Sequence, residues 1–227
     1  VDMGVELFVL DDGWFGNRND DNAALGDWDV NTAKLPRGLG GLSEDIHEMG
    51  LNFGLWIEPE MVSENSELYR KHPDWCLQMP RRQPSRGRYQ LVLDLSREDV
   101  RDYIVTSINS VLDSARIEYV KWDMNRFITD AWSAIVEKEK QGEIYHRYIL
   151  GLYDIMNRII LTHPEILFCG CSGGGGRFDP GMLYYQPQIW CSDNTDAVCR
   201  LKIQYGTTFV YPVSAMESHV SVCPNHQ

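Results

Sequence analysis

The sequence lacks the features that would direct it to a membrane or to nucleic acid. No stretch approaches the roughly 20 consecutive apolar residues of a membrane span. Basic residues are outnumbered, 21 Lys and Arg against 33 Asp and Glu, and the net charge of −12 leaves no basic footprint for nucleic acid or an anionic bilayer. The six cysteines, at positions 76, 169, 171, 191, 199 and 223, form no CxxC pair. Cys169 and Cys171 lie two residues apart on one strand end, a poor spacing for zinc or a disulfide. Packed, reduced thiols are the expectation, and with them a cytoplasmic setting. No metal or cofactor is called for. The glycines of Cys169–Gly176 are followed by Arg177 rather than the Lys-Ser/Thr of a phosphate loop. The acidic tract from Asn17 to Asn22 lacks EF-hand spacing and is expected to be a solvated loop. Ser214 with His219 lacks a nucleophile elbow, and Cys171 has no assignable histidine base.

What is present is a composition, 227 residues and 43% hydrophobic, with enough apolar mass for one large core. Five apolar runs each end in chemistry. Leu7–Leu10 empties into Asp11-Asp12-Gly13-Trp14, and Leu51–Ile57 into Glu58-Pro59-Glu60. Ile117–Val120 is followed by Lys121-Trp122-Asp123-Met124-Asn125-Arg126. Ile166–Phe168 leads to Cys169-Gly170-Cys171-Ser172-Gly173, and Gln188–Trp190 to Cys191-Ser192-Asp193-Asn194-Thr195-Asp196. A parallel barrel gathers such C-terminal strand ends on one face, where that fold keeps its active sites.

Helical patterns alternate with these runs, the mark of βα units. The spacing predicts a helix capped by Ser43 over 44–49, and one opened by a Ser96-Arg97-Glu98-Asp99 capping box with the stripe Val100, Ile104, Ile108, Val111, Leu112 and Ala115. A long helix is predicted from Glu143 to Leu161, with Tyr145, Tyr148, Ile149, Leu152, Tyr153, Met156 and Ile159 inward. A shorter one runs from Asp196 to Tyr205 and stops at Gly206. A last strand is predicted over Thr208–Tyr211, and Gln90–Leu93 is a possible strand inside a loop. The fold class is therefore α/β, a (β/α)8 TIM-type barrel lacking about one strand at each end. Val1 is no initiator Met and Cys223–Gln227 stops in a loop, so the whole of 1–227 is expected to be a partial catalytic barrel domain from a longer chain.

Glycoside cleavage typically uses two carboxyl groups. Asp123, flanked by Lys121 and Asn125 on one face, is a candidate nucleophile held ionised by the neighbouring ammonium. A structural ion pair between Asp123 and Lys121 is an equally weighted reading. Asp193, preceded by Trp190 and Cys191, has the apolar setting expected of a general acid, whereas Asp196 better suits a helix cap. Asp11 and Asp12 are adjacent carboxylates that need donors, which vicinal sugar hydroxyls would supply. Trp14, Trp56 and Trp190 offer flat faces to a pyranose. The glycines of Cys169–Gly176 would let the backbone approach a bound ring.

The segments Leu10–Gly16, Leu55–Glu60, Lys121–Arg126, Cys169–Arg177 and Trp190–Asp196 together resemble the family 36 glycoside hydrolases, the microbial α-galactosidases, over essentially the whole chain. That resemblance implies a retaining mechanism with Asp123 as nucleophile and Asp193 as acid/base. It implies a galactose subsite of Asp11, Asp12, Trp56, Arg88, Lys121, Asn125, Cys171, Gly173 and Trp190. It also implies raffinose- or melibiose-type substrates, an N-terminal β-sandwich and a C-terminal β domain flanking this piece, and a homo-oligomeric parent. Transglycosylation onto a sugar acceptor and galactose binding without turnover are the alternatives. An N-acetylgalactosamine substrate fits less well, because Cys171 and Gly173 look like a 2-hydroxyl subsite.

Overall fold

The computed structural model describes residues 2–177 and 179–221. Its centre is an all-parallel sheet of five strands: β1 (Leu7–Leu10), β2 (Asn52–Ile57), β5 (Tyr119–Trp122), β6 (Leu167–Gly170) and β7 (Gln188–Ile189). The order β1-β2-β5-β6-β7 follows the chain. The helices α1 (Gly38–Glu48), α3 (Glu98–Asp113), α4 (Ile144–Thr162) and α5 (Ala197–Thr207) come between or after the strands. The architecture is thus α/β with a parallel sheet, and the sheet is not closed into a ring among the described residues.

Register brings the strand ends level. Leu10 pairs with Leu55, Ile57 with Trp122, Trp122 with Gly170 and Gly170 with Ile189. The ladder continues past the strands, with the Asp123 N–H donating to the Ile57 carbonyl at 2.8 Å, Cys171 N–H to Trp122 at 2.8 Å and Trp190 N–H to Gly170 at 2.9 Å. Loops after consecutive strands therefore leave the sheet at one end, side by side.

The helices bury apolar stripes against the sheet. Val100, Ile104, Ile108, Val111 and Leu112 of α3 are buried, as the helical period predicted. On α4 the buried set is Ile144, Tyr148, Gly151, Leu152, Ile155, Met156 and Ile159. Tyr145, expected inward, is 54% exposed, because the stripe starts one residue earlier at Ile144. The chain from Phe15 to Gly38 is more than a polar loop: Phe15, Leu25 and Trp28 join the core, while Asn17, Asn19, Asp20 and Asn22 face solvent.

Several local expectations are corrected. Ser43 lies inside α1, where its hydroxyl donates to the Arg116 carbonyl at 2.7 Å, and the cap position is Arg37. Ser96 makes no capping box: its hydroxyl donates to Asp94 at 2.6 Å, and α3 starts at Glu98. Gln90–Val92 is a strand (β4), paired antiparallel with β3 (Met61–Ser63). That partner and the short α2 (Glu67–Lys71) carry too few residues for a readable period. Thr208–Tyr211 is not a strand. α5 runs through Gly206, and turns follow in which Val210 and Tyr211 N–H groups donate to the Thr207 carbonyl. The segment that extends the sheet beyond β7 comes later: Met216 bridges Ile189 in parallel, and Glu217 N–H donates to the Ile189 carbonyl at 3.0 Å. Asp2 and Met3 form a turn ahead of β1. The described cysteines are all free, with Cys76, Cys169 and Cys171 buried; Cys223 lies outside the described residues. No helix among the described residues is long and apolar enough to cross a membrane.

One close approach makes a specific stability prediction. A Cβ placed on Gly151 would sit 2.0 Å from the Leu95 carbonyl oxygen, so α4 packs directly on main chain there. Gly151→Ala should destabilise the full-length protein by about 1–3 kcal/mol through overpacking, read as a lower urea midpoint. Gly142→Ala, where a Cβ meets nothing within 4 Å, should leave the midpoint almost unmoved.

Candidate active site

Asp123 stands at the first position after β5, and four donors converge on its carboxylate. Its Oδ1 accepts from Met124 N–H at 2.8 Å and Gly173 N–H at 3.2 Å. Its Oδ2 accepts from the Asn125 amide at 2.7 Å and the Trp56 indole N–H at 3.1 Å. The residue is only 5% exposed, so these donors, rather than water, hold the charge and orient it. The strand stops at Trp122, and Asn125 reaches Asp123 through a local turn instead of by strand alternation.

Lys121 does not pair directly with Asp123. Its Nζ binds Asp11 Oδ2 at 3.1 Å and lies 4.5 Å from the centre of the Trp190 ring. Burial pulls this ammonium down, but Asp11 and weaker negative neighbours, Asp123 among them, more than offset that and leave it raised. Asp12 is engaged separately: Arg18, itself buried, forks onto it with Nη2 2.8 Å from Oδ2 and Nε 3.0 Å from Oδ1. The adjacent carboxylates at the end of β1 thus each have a protein cation, on opposite sides.

The aromatic residues divide. Trp14 and Trp56 are 2% and 3% exposed and belong to a cluster with Phe15 and Trp28, so neither offers an open face. Their indole N–H groups are used internally, Trp14 to the Trp56 carbonyl at 2.9 Å and Trp56 to Asp123. Trp190 alone of the three keeps a partly exposed ring, and its N–H donates to Asp193 Oδ1 at 2.7 Å. Asp193 is itself exposed, so the enclosed apolar setting expected for it is not found; its loop lies on the open side of the strand ends. Asp196 caps α5, accepting from Cys199 N–H at 2.7 Å, as its position suggested.

The glycine loop joins the two aspartates. Gly173 and Gly174 have φ of +53° and +83°, a left-handed pair that side chains resist. Gly173 donates its N–H to Asp123, while a Cβ on Gly174 would lie 2.9 Å from Asp193 N and 3.5 Å from its carboxyl carbon. Consecutive residues of one turn therefore touch Asp123 on one side and Asp193 on the other. Cys171 lies beside them with its thiol pushed up by burial and by the charge of Asp123, so it stays protonated. Arg88, exposed, sits on a strained stretch where it and Tyr89 both take positive φ, 50° and 58°. Gly87 seats that loop tightly, since a Cβ there would meet the Arg126 side chain at 2.9 Å.

Two buried carboxyls behind the site escaped the sequence reading of roles. Glu60 is fully buried and ion-paired, with Arg177 Nη2 at 2.6 Å, the Trp122 indole N–H at 2.8 Å and the Tyr148 hydroxyl at 2.6 Å. It ties β5, α4 and the end of the glycine loop together. Glu58, equally buried, accepts from Asn125 N–H and from the Gln90 amide. Burial first, and then Asp123, push its carboxyl up to about 8. The Glu58-Pro59-Glu60 triplet at a strand end was the visible signal; the Arg177 partner of Glu60, which separates the two roles, was not.

A family profile described as Melibiase matches residues 1–227. The α-galactosidase AgaA of Geobacillus stearothermophilus is 66% identical over 227 residues, covering 100% of this chain and 31% of that protein. Alpha-galactosidase Mel36A of Lactobacillus acidophilus is 57% identical over 225 residues, covering 99% and 31%. The chain thus spans about a third of the length of these relatives. A crystal structure of the GH36 α-galactosidase AgaA superposes with a TM-score of 0.97, covering 100% of this chain and 32% of that one. The galactosidase domain of the α-galactosidase–sucrose kinase AgaSK does so with a TM-score of 0.93 at 55% identity, covering 100% and 30%. On this match along its whole length, the chain belongs to the melibiase family, among the family 36 glycoside hydrolases.

Proposed function

We propose that the full-length protein is a retaining α-galactosidase, removing terminal α-galactosyl groups from raffinose- or melibiose-type oligosaccharides through a galactosyl-enzyme. The observation that carries this reading is the pair Asp123 and Asp193 set across one glycine turn, the first clamped by four N–H donors and the second open to solvent. A buried carboxylate with both oxygens fixed is suited to attack an anomeric carbon. An exposed carboxyl nearby can hand a proton to the leaving oxygen and later take one from water. AgaA has been crystallised with raffinose and with stachyose, which agrees with oligosaccharide substrates. The variants used for those two complexes alter two aspartates 70 positions apart in that chain, the same spacing as here, 193 − 123 = 70.

In this reading Asp11 and Asp12 accept hydrogen bonds from sugar hydroxyls, each steadied by its own cation. Lys121, Asn125, Arg88, Cys171 and Gly173 complete the subsite. Trp190 supplies a ring face, and Trp56 acts through its N–H on Asp123 rather than as a platform. The parallel sheet is then an arc of an eight-stranded (β/α) barrel, whose remaining strands and flanking β domains belong to the longer protein.

The two catalytic aspartates should fail differently when tested in the full-length protein. Asp123→Ala removes the attacking group and should stall every galactoside. Asp193→Ala should cost raffinose about 10²–10⁴-fold in the first step, while a nitrophenyl galactoside, whose phenolate leaves unaided, keeps most of its burst. Added azide should speed release from Asp193→Ala by displacing Asp123 from the β-linked galactosyl-enzyme, and give the α-galactosyl azide. Equal leaving-group dependence in both variants would sink the assignment. For the recognition pair, Asp11→Asn or Asp12→Asn should lower kcat/KM by roughly 10–100-fold, the loss of a charge-assisted hydrogen bond, and azide should restore neither.

A further inference from the structure

We infer that Glu58 is a positioning residue for Asp123, and that it acts as a neutral carboxylic acid, so that the floor of the site carries one negative charge rather than two. The inference rests on the galactosidase reading for what Asp123 does. The geometry is specific. Asn125 is shared between the two carboxyls: its main-chain N–H binds Glu58 Oε1, and its side-chain amide binds Asp123 Oδ2 at 2.7 Å. Moving Glu58 therefore moves the donor that aims the nucleophile.

The comparison with Glu60, two residues along, settles the choice of protonation state. Both glutamates are 0% exposed. Glu60 has a partly buried arginine against it, Arg177 at 2.6 Å, together with two further donors. Glu58 forms no salt bridge among the described residues and meets only amide groups, Asn125 N–H and Gln90 Nε2 at 3.1 Å. The ionisable groups that bear on it are Asp123, at the end of β5, and the exposed Arg88, in the loop before β4. An unpaired charge in such a place is strongly disfavoured, and a second carboxylate beside Asp123 adds repulsion. Gln90 Oε1 is moreover a buried acceptor with no donor. Rotating that amide by half a turn would present the oxygen to a Glu58 O–H, an exchange of atoms that nearly preserves its shape.

The sign of the pH effect follows. A carboxyl raised from 4.5 to about 8 on folding contributes stability that is complete below 4.5 and is lost as pH rises through 8. Glu58→Gln, which imitates the neutral acid, should show no such loss. In the full-length protein its Tm relative to the natural protein should therefore climb between pH 5 and pH 8. Its kcat/KM at pH 6 should stay within about threefold of the natural protein, whereas Glu58→Ala, which frees Asn125, should lose about 100-fold, mainly in kcat. The burst rate with a nitrophenyl galactoside should fall in the natural protein as pH passes 8 and Glu58 ionises, and this limb should be missing from Glu58→Gln. A Gln variant as crippled as Ala at pH 6, a flat Tm difference, or an alkaline limb that persists in Glu58→Gln would each overturn the inference. The melting comparison needs no turnover, so an inactive natural protein would sink the galactosidase reading while Glu58 was still judged on Tm.

Discussion

Parallel strands hydrogen-bond in an evenly spaced ladder, and here that ladder runs one step beyond the strands on β5, β6 and β7. Asp123 bonds back to Ile57, Cys171 to Trp122 and Trp190 to Gly170. This places the loop carrying Asp123 between those carrying Glu58 and Cys171, with Trp190 next in line. Because side chains alternate with a period of two, a slip of one residue in β5 would turn Asp123 into the packing and Trp122 toward the face where Asp123 now stands. The buried Trp122, anchored by its N–H to Glu60, makes such a slip costly. The pairing of strands and the aim of the candidate nucleophile are thus one constraint.

Charge is distributed around that frame according to burial. Asp11, exposed, shares Lys121 with the ring of Trp190. Asp12 is held more firmly by buried Arg18. Asp123 has no cation in direct contact and is stabilised by N–H groups, which leave its charge unneutralised and available. Behind it, Glu60 is cancelled by Arg177, and that ion pair also ends the glycine loop, fixing where Gly173 and Gly174 pass between the two aspartates.

Much of this was legible without coordinates. The five sheet strands follow from apolar runs three to seven residues long bounded by polar chemistry, and α3 and α4 from a 3.6-residue stripe sustained over several turns. Where signals were short or shared, the chain chose otherwise. Thr208–Tyr211 has strand composition, yet it follows α5 directly and turns back on Thr207, leaving Met216 and Glu217 to meet β7. Ser43 and Ser96 look like caps because their hydroxyls can bind main chain or side chain locally. Ser43 instead bonds across the fold to Arg116, and Ser96 to the side chain of Asp94 just before it rather than to the helix N–H groups.

The sequence alone determined the family, the parallel α/β plan and the set of carboxylates at strand ends, because these rest on periodicity and on motifs written in consecutive residues. The tertiary structure decided how those residues divide the work. It buried Trp14 and Trp56 and left Trp190 open; it gave Lys121 to Asp11 rather than to Asp123; it exposed Asp193. It also made one of two neighbouring glutamates an ion pair and left the other to amides. Each of those outcomes depends on which group from a distant strand or loop arrives within hydrogen-bonding distance, and on how much water is excluded there. Neither quantity is a property of any single stretch of chain.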